Sequence, residues 1–498
     1  MAAHALGQSL DVSTTSPSRS SQGHVVPASG LDRFFHVTER GSTIGREVRG
    51  GVVTFFTMAY ILVLNPLILS TPHEGIAPLG TTEQIAAGTA FVAGVMTILM
   101  GVVANFPMAL AAGLGVNAMV AYTIAGTDGV TYADAMGLVV IEGIIILVLV
   151  LTGFREAVFK AVPASIKTAV SVGIGLFIAL IGLVDAKVVR AGGTPLELGL
   201  GGSLQGWPVL VFLVGLFLII VLHVRKVRGA ILIGIISSTV LAAVIEAVAH
   251  LGAFDAVDNP TGWSLSVPSL SGSPVDLPSL ATLGRFSLLG SVDKIGAISL
   301  VLLVFSLMLA DFFDTMGTMV AIGAEGDLLD EDGNPPRTRE ILVVDSVAAI
   351  AGGMGGVSSN TSYVESAAGV GEGARTGLAS VVTGALFLLS MFLAPVVSMV
   401  PYEAATPALV IVGFLMMTQV TDIDWTRPEI ALPAFVTIIM MPFSYSITNG
   451  IGAGFIAHAV VQVARGRARD VHPLMWLACV LFVVYFTLTP IKAILGVA

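Results

Sequence analysis

Three carboxylic acids stand where an apolar chain offers them little solvation. Asp311 and Asp314 interrupt the apolar run 297–323, and Glu365 lies in the small-residue stretch GGMGGVSSNTSYVESAAGVGEG at 352–373. A carboxylate at bilayer depth costs a few kcal/mol or more, so such a group is expected to face a cavity, a partner or a transported species. Asp311 and Asp314 are three residues apart and share one helical face, which Thr315 and Thr318 extend. Two carboxyls that close in an apolar site do not both ionise easily, so one is expected to hold a proton. Asp311 is the expected ligand, while Asp314 stands between a structural tether and a modulator of its neighbour. Glu365 can accept two parallel N–H bonds from a planar group. An ion pair with Arg375 is its other reading. Asn117, whose amide both donates and accepts, is a second candidate reader, or else a helix-end cap. Thr361 and Ser362 complete the polar set. Glu142 is a lone mid-span acid with a bundle contact and a functional role equally open, and Asp345 is expected to pack against the core.

The 498 residues are 55% hydrophobic and only 11% charged, and the mean hydropathy is +0.93. Soluble domains carry about 25% charged residues, so the composition predicts a polytopic membrane protein. The lone Cys479 excludes a disulfide framework, and no His pair has zinc spacing. The loop GDLLDEDG (326–333) lacks a calcium-ligand ladder and reads as a solvated loop. Residues 1–40 are polar and Ser-rich and read as a disordered cytoplasmic tail.

Apolar stretches of spanning length recur at about 50–70, 85–105, 135–154, 164–184, 207–224, 229–250, 295–323, 338–356, 376–400, 405–421 and 428–446, with a shorter one at 450–464. Segments 107–126 and 354–370 are apolar but broken by Gly and polar residues. Together they make about fourteen elements; a further stretch, 474–496, is left open between a span and an interfacial segment. Arg46, Arg49, Arg155, Lys160, Lys167, Arg225, Lys226, Arg228, Arg337, Arg339, Arg375, Arg427 and the basic run 465–469 fall at alternate ends, which places the N-terminus in the cytoplasm.

Spacings also recur between the halves. Gly175 and Gly413 each lie twelve residues past a Val-Pro pair, and Pro208 and Gly229 match Pro428 and Gly450. Seven elements per half is an odd number, so the second copy enters from the other side, as an inverted repeat. Such transporters bind at the midplane between discontinuous helices. The broken third and tenth elements hold those places, with Asn117 and Glu365 in them, and each is expected to contain an extended piece and a half-helix.

The motifs TFFTMAYILVLNP (54–66), GLGVNAMVAYT (113–123), ADFFDTMGT (310–318), TSYVESAAGVGEGARTGL (361–378) and MPFSYSITNGIGAGF (441–455) resemble the purine branch of the nucleobase:cation symporter-2 family. The resemblance implies an all-α membrane fold of about fourteen segments in two inverted repeats of seven, with short strands in segments three and ten. It implies a core domain (41–154 and 292–400), a gate domain (155–252 and 401–498) and an extracellular loop (253–291). It further implies proton-coupled uptake of hypoxanthine, guanine and adenine across the cytoplasmic membrane. Asp311, Glu365 and Asn117 would recognise the purine, and Asp311, Asp314 and Glu365 would couple the proton. The expected partners are the nucleobase, the proton, the bilayer and a second copy of the chain, with no nucleic acid, cofactor, metal or catalytic residue. A sulfate- or bicarbonate-type anion transporter of the same architecture is the alternative. Three carboxylates without an added cation disfavour it.

Overall fold

An apolar chain can satisfy its backbone inside lipid only as helices or closed barrels, and this one folds as helices. The computed structural model describes residues 29–70, 77–127, 129–152, 162–191, 194–264, 266–268, 273–331 and 334–487, with the side chains of Asp293 and Phe313 set aside. The tail before Ser29, Arg155, Lys160, the end of the acidic loop at 332–333 and the chain beyond Thr487 lie outside the described residues. Ten helices among those described are long and apolar enough to cross a membrane.

The first crossing is Ile44–Leu69, built from α1 (Ile44–Met58) and α2 (Ile61–Leu69), which meet at Ala59–Tyr60. The Thr43 side chain caps α1 by accepting from Arg46 N. Helix α3 (Thr82–Leu99) starts with a reciprocal capping box between Thr81 and Gln84. It ends in a π-helical turn, Met100–Ala104, and Asn105 at φ 47° then reverses the chain. The Asn105 side chain fixes that reversal by donating to Phe35 O at 2.8 Å and accepting from Gly377 N at 2.8 Å.

The third segment is extended where it enters. Strand β1 (Leu110–Ala112) leads through Gly113 into the short helix α4 (Leu114–Ala118). Helices α5 (Tyr132–Thr152), α6 (Ala164–Asp185), α7 (Trp207–Val224) and α8 (Ala230–Ala249) follow, then α9 (Ala297–Glu325) and α10 (Thr338–Gly355). Gly356 stops α10 in the left-handed region, at φ 69°. Strand β2 (Asn360–Ser362) and helix α11 (Ser366–Gly371) come next. After them run α12 (Gly377–Ser390), α13 (Pro407–Met417), α14 (Pro428–Phe443), α15 (Ile447–Ala464) and α16 (Pro473–Phe486). The described part of the terminal apolar stretch is thus a helix of 14 residues, about 21 Å long, against a hydrocarbon core of about 30 Å. It packs on α15, where Cys479 Sγ donates to Phe455 O at 3.3 Å.

Strands β1 and β2 pair antiparallel, with Leu110 opposite Ser362, Ala111 opposite Thr361 and Ala112 opposite Asn360. Gly113 N to Ser359 O and Tyr363 N to Ala109 O, each 3.0 Å, lengthen the ladder at its ends. All six strand residues are buried, so the two extended pieces satisfy each other's backbone away from water. Close approach depends on missing side chains. A Cβ on Gly113 would lie 2.6 Å from Thr361 Cγ2, and one on Gly352 would lie 2.0 Å from Ser358 O. Against this crossing pack α2, α3, α9 and α10, while α6 packs on α13 and α14. Gly175 of α6 and Gly413 of α13 meet backbone to backbone, each with the other's carbonyl where its own Cβ would be.

Candidate functional site

The two strands, the helices that leave them and the middle of α9 bring the sequence-selected residues to one place. Asp311 is 0% exposed. Glu142 of α5 and the hydroxyl-bearing side chains of Ser359 and Thr361 are turned toward its carboxyl. Thr361 and Thr315 hydroxyls bond to each other at 2.8 Å, and Thr315 Oγ1 donates to Asp345 Oδ2 at 2.9 Å. Asp345 is therefore part of the polar network that ties α9, α10 and β2 together.

Asp314 behaves differently from its neighbour. It is exposed, and it lies near enough to Glu365, Tyr60 and Tyr363 for its charge to bear on them. The shared helical face is real, but the two aspartates open to different surroundings. Asp311 enters the buried network, while Asp314 lines the accessible side with Glu365.

Glu365 occupies the residue just before α11 and is half-buried. The Tyr60 hydroxyl donates to Glu365 Oε1. Tyr60 sits at the joint between α1 and α2, so the break in the first crossing delivers the donor. Tyr363 hydroxyl donates to Ala112 O at 2.6 Å and locks β2 onto the end of β1. Arg375 does not pair with Glu365; its Nη1 donates to the Val370 and Ala374 carbonyls at 2.7 Å each.

Asn117 is fully buried within α4 and is not a cap. Its Nδ2 donates to Asn65 Oδ1 at 2.6 Å, and Asn65 Nδ2 in turn donates to Thr89 Oγ1 at 2.8 Å and Val357 O at 3.1 Å. The Asn117 carbonyl oxygen receives no donor. Nor do the hydroxyls of Ser358, Ser359 and Ser362, or the Asn360 amide, find a partner within the protein. Buried polar groups are almost always bonded, so a cluster of unbonded donors and acceptors around a strand crossing is suited to a polar ligand. No group of three His, Cys, Asp or Glu that could hold a metal occurs among the described residues.

Sequence reasoning passed over Tyr60 and Asn65. Both lie in the motif 54–66, where a tyrosine and an asparagine within an apolar span were the available signal. Glu142, which looked isolated along the chain, is beside Asp311 in space. Phe55 packs edge-on against Phe387. Phe313 lies outside the described side chains.

The xanthine/uracil permease model, described as the Permease family, matches residues 45–453. The guanine/hypoxanthine permease PbuG of Bacillus subtilis is 37% identical over 461 residues, covering 92% of this chain and 99% of that protein. The adenine permease AdeP of Escherichia coli is 36% identical over 468 residues, covering 93% and 98%. Among solved structures, the transmembrane domain of the cyanobacterial bicarbonate transporter BicA superposes with a TM-score of 0.59 at 12% identity, over 81% of this chain and 97% of that one. SLC26A9 gives 0.57 at 12% identity, over 85% and 66%. Those two likenesses concern the fold. The sequence matches go further: the chain is a multi-pass membrane protein of the xanthine/uracil permease family, on the purine branch of nucleobase:cation symporter-2.

Proposed function

We propose that this permease takes up purine nucleobases (hypoxanthine, guanine and adenine) with protons across the cytoplasmic membrane. The observation that carries the reading is Glu365, held by the Tyr60 hydroxyl at the start of a half-helix, facing the same space as Asp314. A purine edge offers N–H donors to the Glu365 carboxyl. The Asn117 carbonyl, Thr361, Ser362 and Asp311 supply the remaining polar contacts. The proton is carried on the carboxyl groups Asp311, Asp314 and Glu365. None of these has a Lys or Arg partner among the described residues, so a proton is the available counter-charge. The names of the relatives, guanine/hypoxanthine and adenine permeases, support the substrate class.

Transport then proceeds by movement of a core (41–154 and 292–400) against a gate (155–252 and 401–498), with about fourteen segments in two inverted repeats, a homodimer and a cytoplasmic N-terminus. The Gly175–Gly413 contact supports the repeat, because residues matched across a two-fold meet at its axis. A panel of radiolabelled purines, pyrimidines, sulfate and bicarbonate, taken up by the full chain with and without an imposed proton gradient, tests the reading. Saturable, gradient-dependent accumulation of purines is expected. Accumulation of sulfate or bicarbonate instead would establish the anion-carrier alternative.

A further inference from the structure

Glu142 and Asp311 are each 0% exposed, come from different helices, and face each other. No hydroxyl, amide or cation among the described residues bonds to Glu142, while the Thr361 and Ser359 hydroxyls are turned toward Asp311. A carboxylate has only acceptors, so two such groups can meet favourably only when one carries a proton and donates it to the other. Two bare charges there, away from water, would repel strongly. Asp345 is the other titratable group facing Glu142, and it already accepts from Thr315. Asp314 is the other acid close enough to Asp311 for their charges to interact, and it is exposed. No Lys, Arg or His among the described residues bears on either member of the pair.

We propose that Glu142 is the proton-sharing partner of Asp311, and that this pair, rather than Asp311 with Asp314, holds the transported proton. The inference rests on the proton-symport reading above. In the loaded state both carboxyls are protonated and the pair is neutral. On release, one O–H gives its proton to water and keeps the electron pair as one negative charge. The remaining O–H then donates to that oxygen, so the empty pair spreads a single charge over two side chains. Such a pair titrates as a unit.

The test uses the full-length protein in proteoliposomes. Two rates are compared: hypoxanthine accumulation driven by an imposed proton gradient, and hypoxanthine exchange at equal pH, which moves no net proton. Glu142→Gln keeps the shape but fixes one partner as neutral. It is expected to cut accumulation at least about tenfold more than exchange, and to flatten the pH dependence of uptake. Glu142→Asp, which keeps a carboxyl, is expected to restore both the accumulation and the pH profile in part. Coupled accumulation in Glu142→Gln equal to that of the parent overturns the proposal. So does an equal loss of both rates in Glu142→Gln and Glu142→Asp, which marks a packing role only. A parent that exchanges no purine overturns the transport reading itself, and this proposal with it.

Discussion

Asn117 Nδ2 donates to Asn65 Oδ1 at 2.6 Å, so an asparagine of the first crossing sets the direction of the amide in the third. The carbonyl end of Asn117 is thereby turned away from Asn65 and left for a donor. Asn65→Ala should leave the Asn117 amide unpaired and free to rotate, at about 1–3 kcal/mol for an unsatisfied buried group. The expected result is a higher KM for hypoxanthine with a smaller change in maximal rate. A parent-like KM in Asn65→Ala, with Asn117→Ala impaired, would show that Asn117 does not need this partner.

Tyr60 holds Glu365 through one hydroxyl. Tyr60→Phe removes a bond to a charged acceptor worth about 1.5–3 kcal/mol, so the KM for purines should rise about tenfold or more at equal surface expression. Substrate affinity unaffected by the change would mean that Glu365 is oriented by its backbone alone.

Asp311→Asn and Glu365→Gln should each abolish saturable hypoxanthine uptake while reaching the membrane in parent amounts. Asp314→Asn should be milder, because Asp314 is exposed and lies outside the Asp311 network. Uptake kinetics on the three variants, normalised to surface protein, check the ranking. Normal transport in Asp311→Asn or Glu365→Gln would sink the site assignment.

Gly113 lets the strands of the crossing approach closely. Gly113→Ala places a methyl group 2.6 Å from Thr361 Cγ2, and overpacking of this kind costs about 1–3 kcal/mol. Lower thermal stability and weaker uptake are expected. Thr361→Ser removes that Cγ2 but keeps the hydroxyl that bonds Thr315, so it should rescue Gly113→Ala in the double variant. If the rescue fails, the clash is not where the geometry places it.

Local pattern explains what was legible. Apolar runs marked the helices, and Ala164–Asp185, Trp207–Val224 and Ala230–Ala249 lie close to the stretches read from hydropathy. Gly-rich, polar interruptions marked the two segments that hold strands, because an extended backbone in an apolar surrounding needs small side chains and a partner. Spacing along one helix put Asp311 and Asp314 on a common face, but periodicity says nothing of what stands opposite. The closed capping box at Thr81 and Gln84 is another local event. The reversal at Asn105, fixed by Phe35 and Gly377, is not.

The sequence by itself determined a membrane-embedded helical chain, its broken third and tenth segments, its family, and a set of acids in apolar surroundings. These follow from composition, short-range periodicity and contiguous motifs, all properties of neighbours along the chain. Tertiary structure alone decided which acids meet. Asp311 and Glu142 are brought together by helices far apart in sequence, Tyr60 reaches Glu365 across the bundle, and Asn65 reaches Asn117. A carboxyl's partner depends on distances through space, and no spacing along the chain encodes those until the helices have packed.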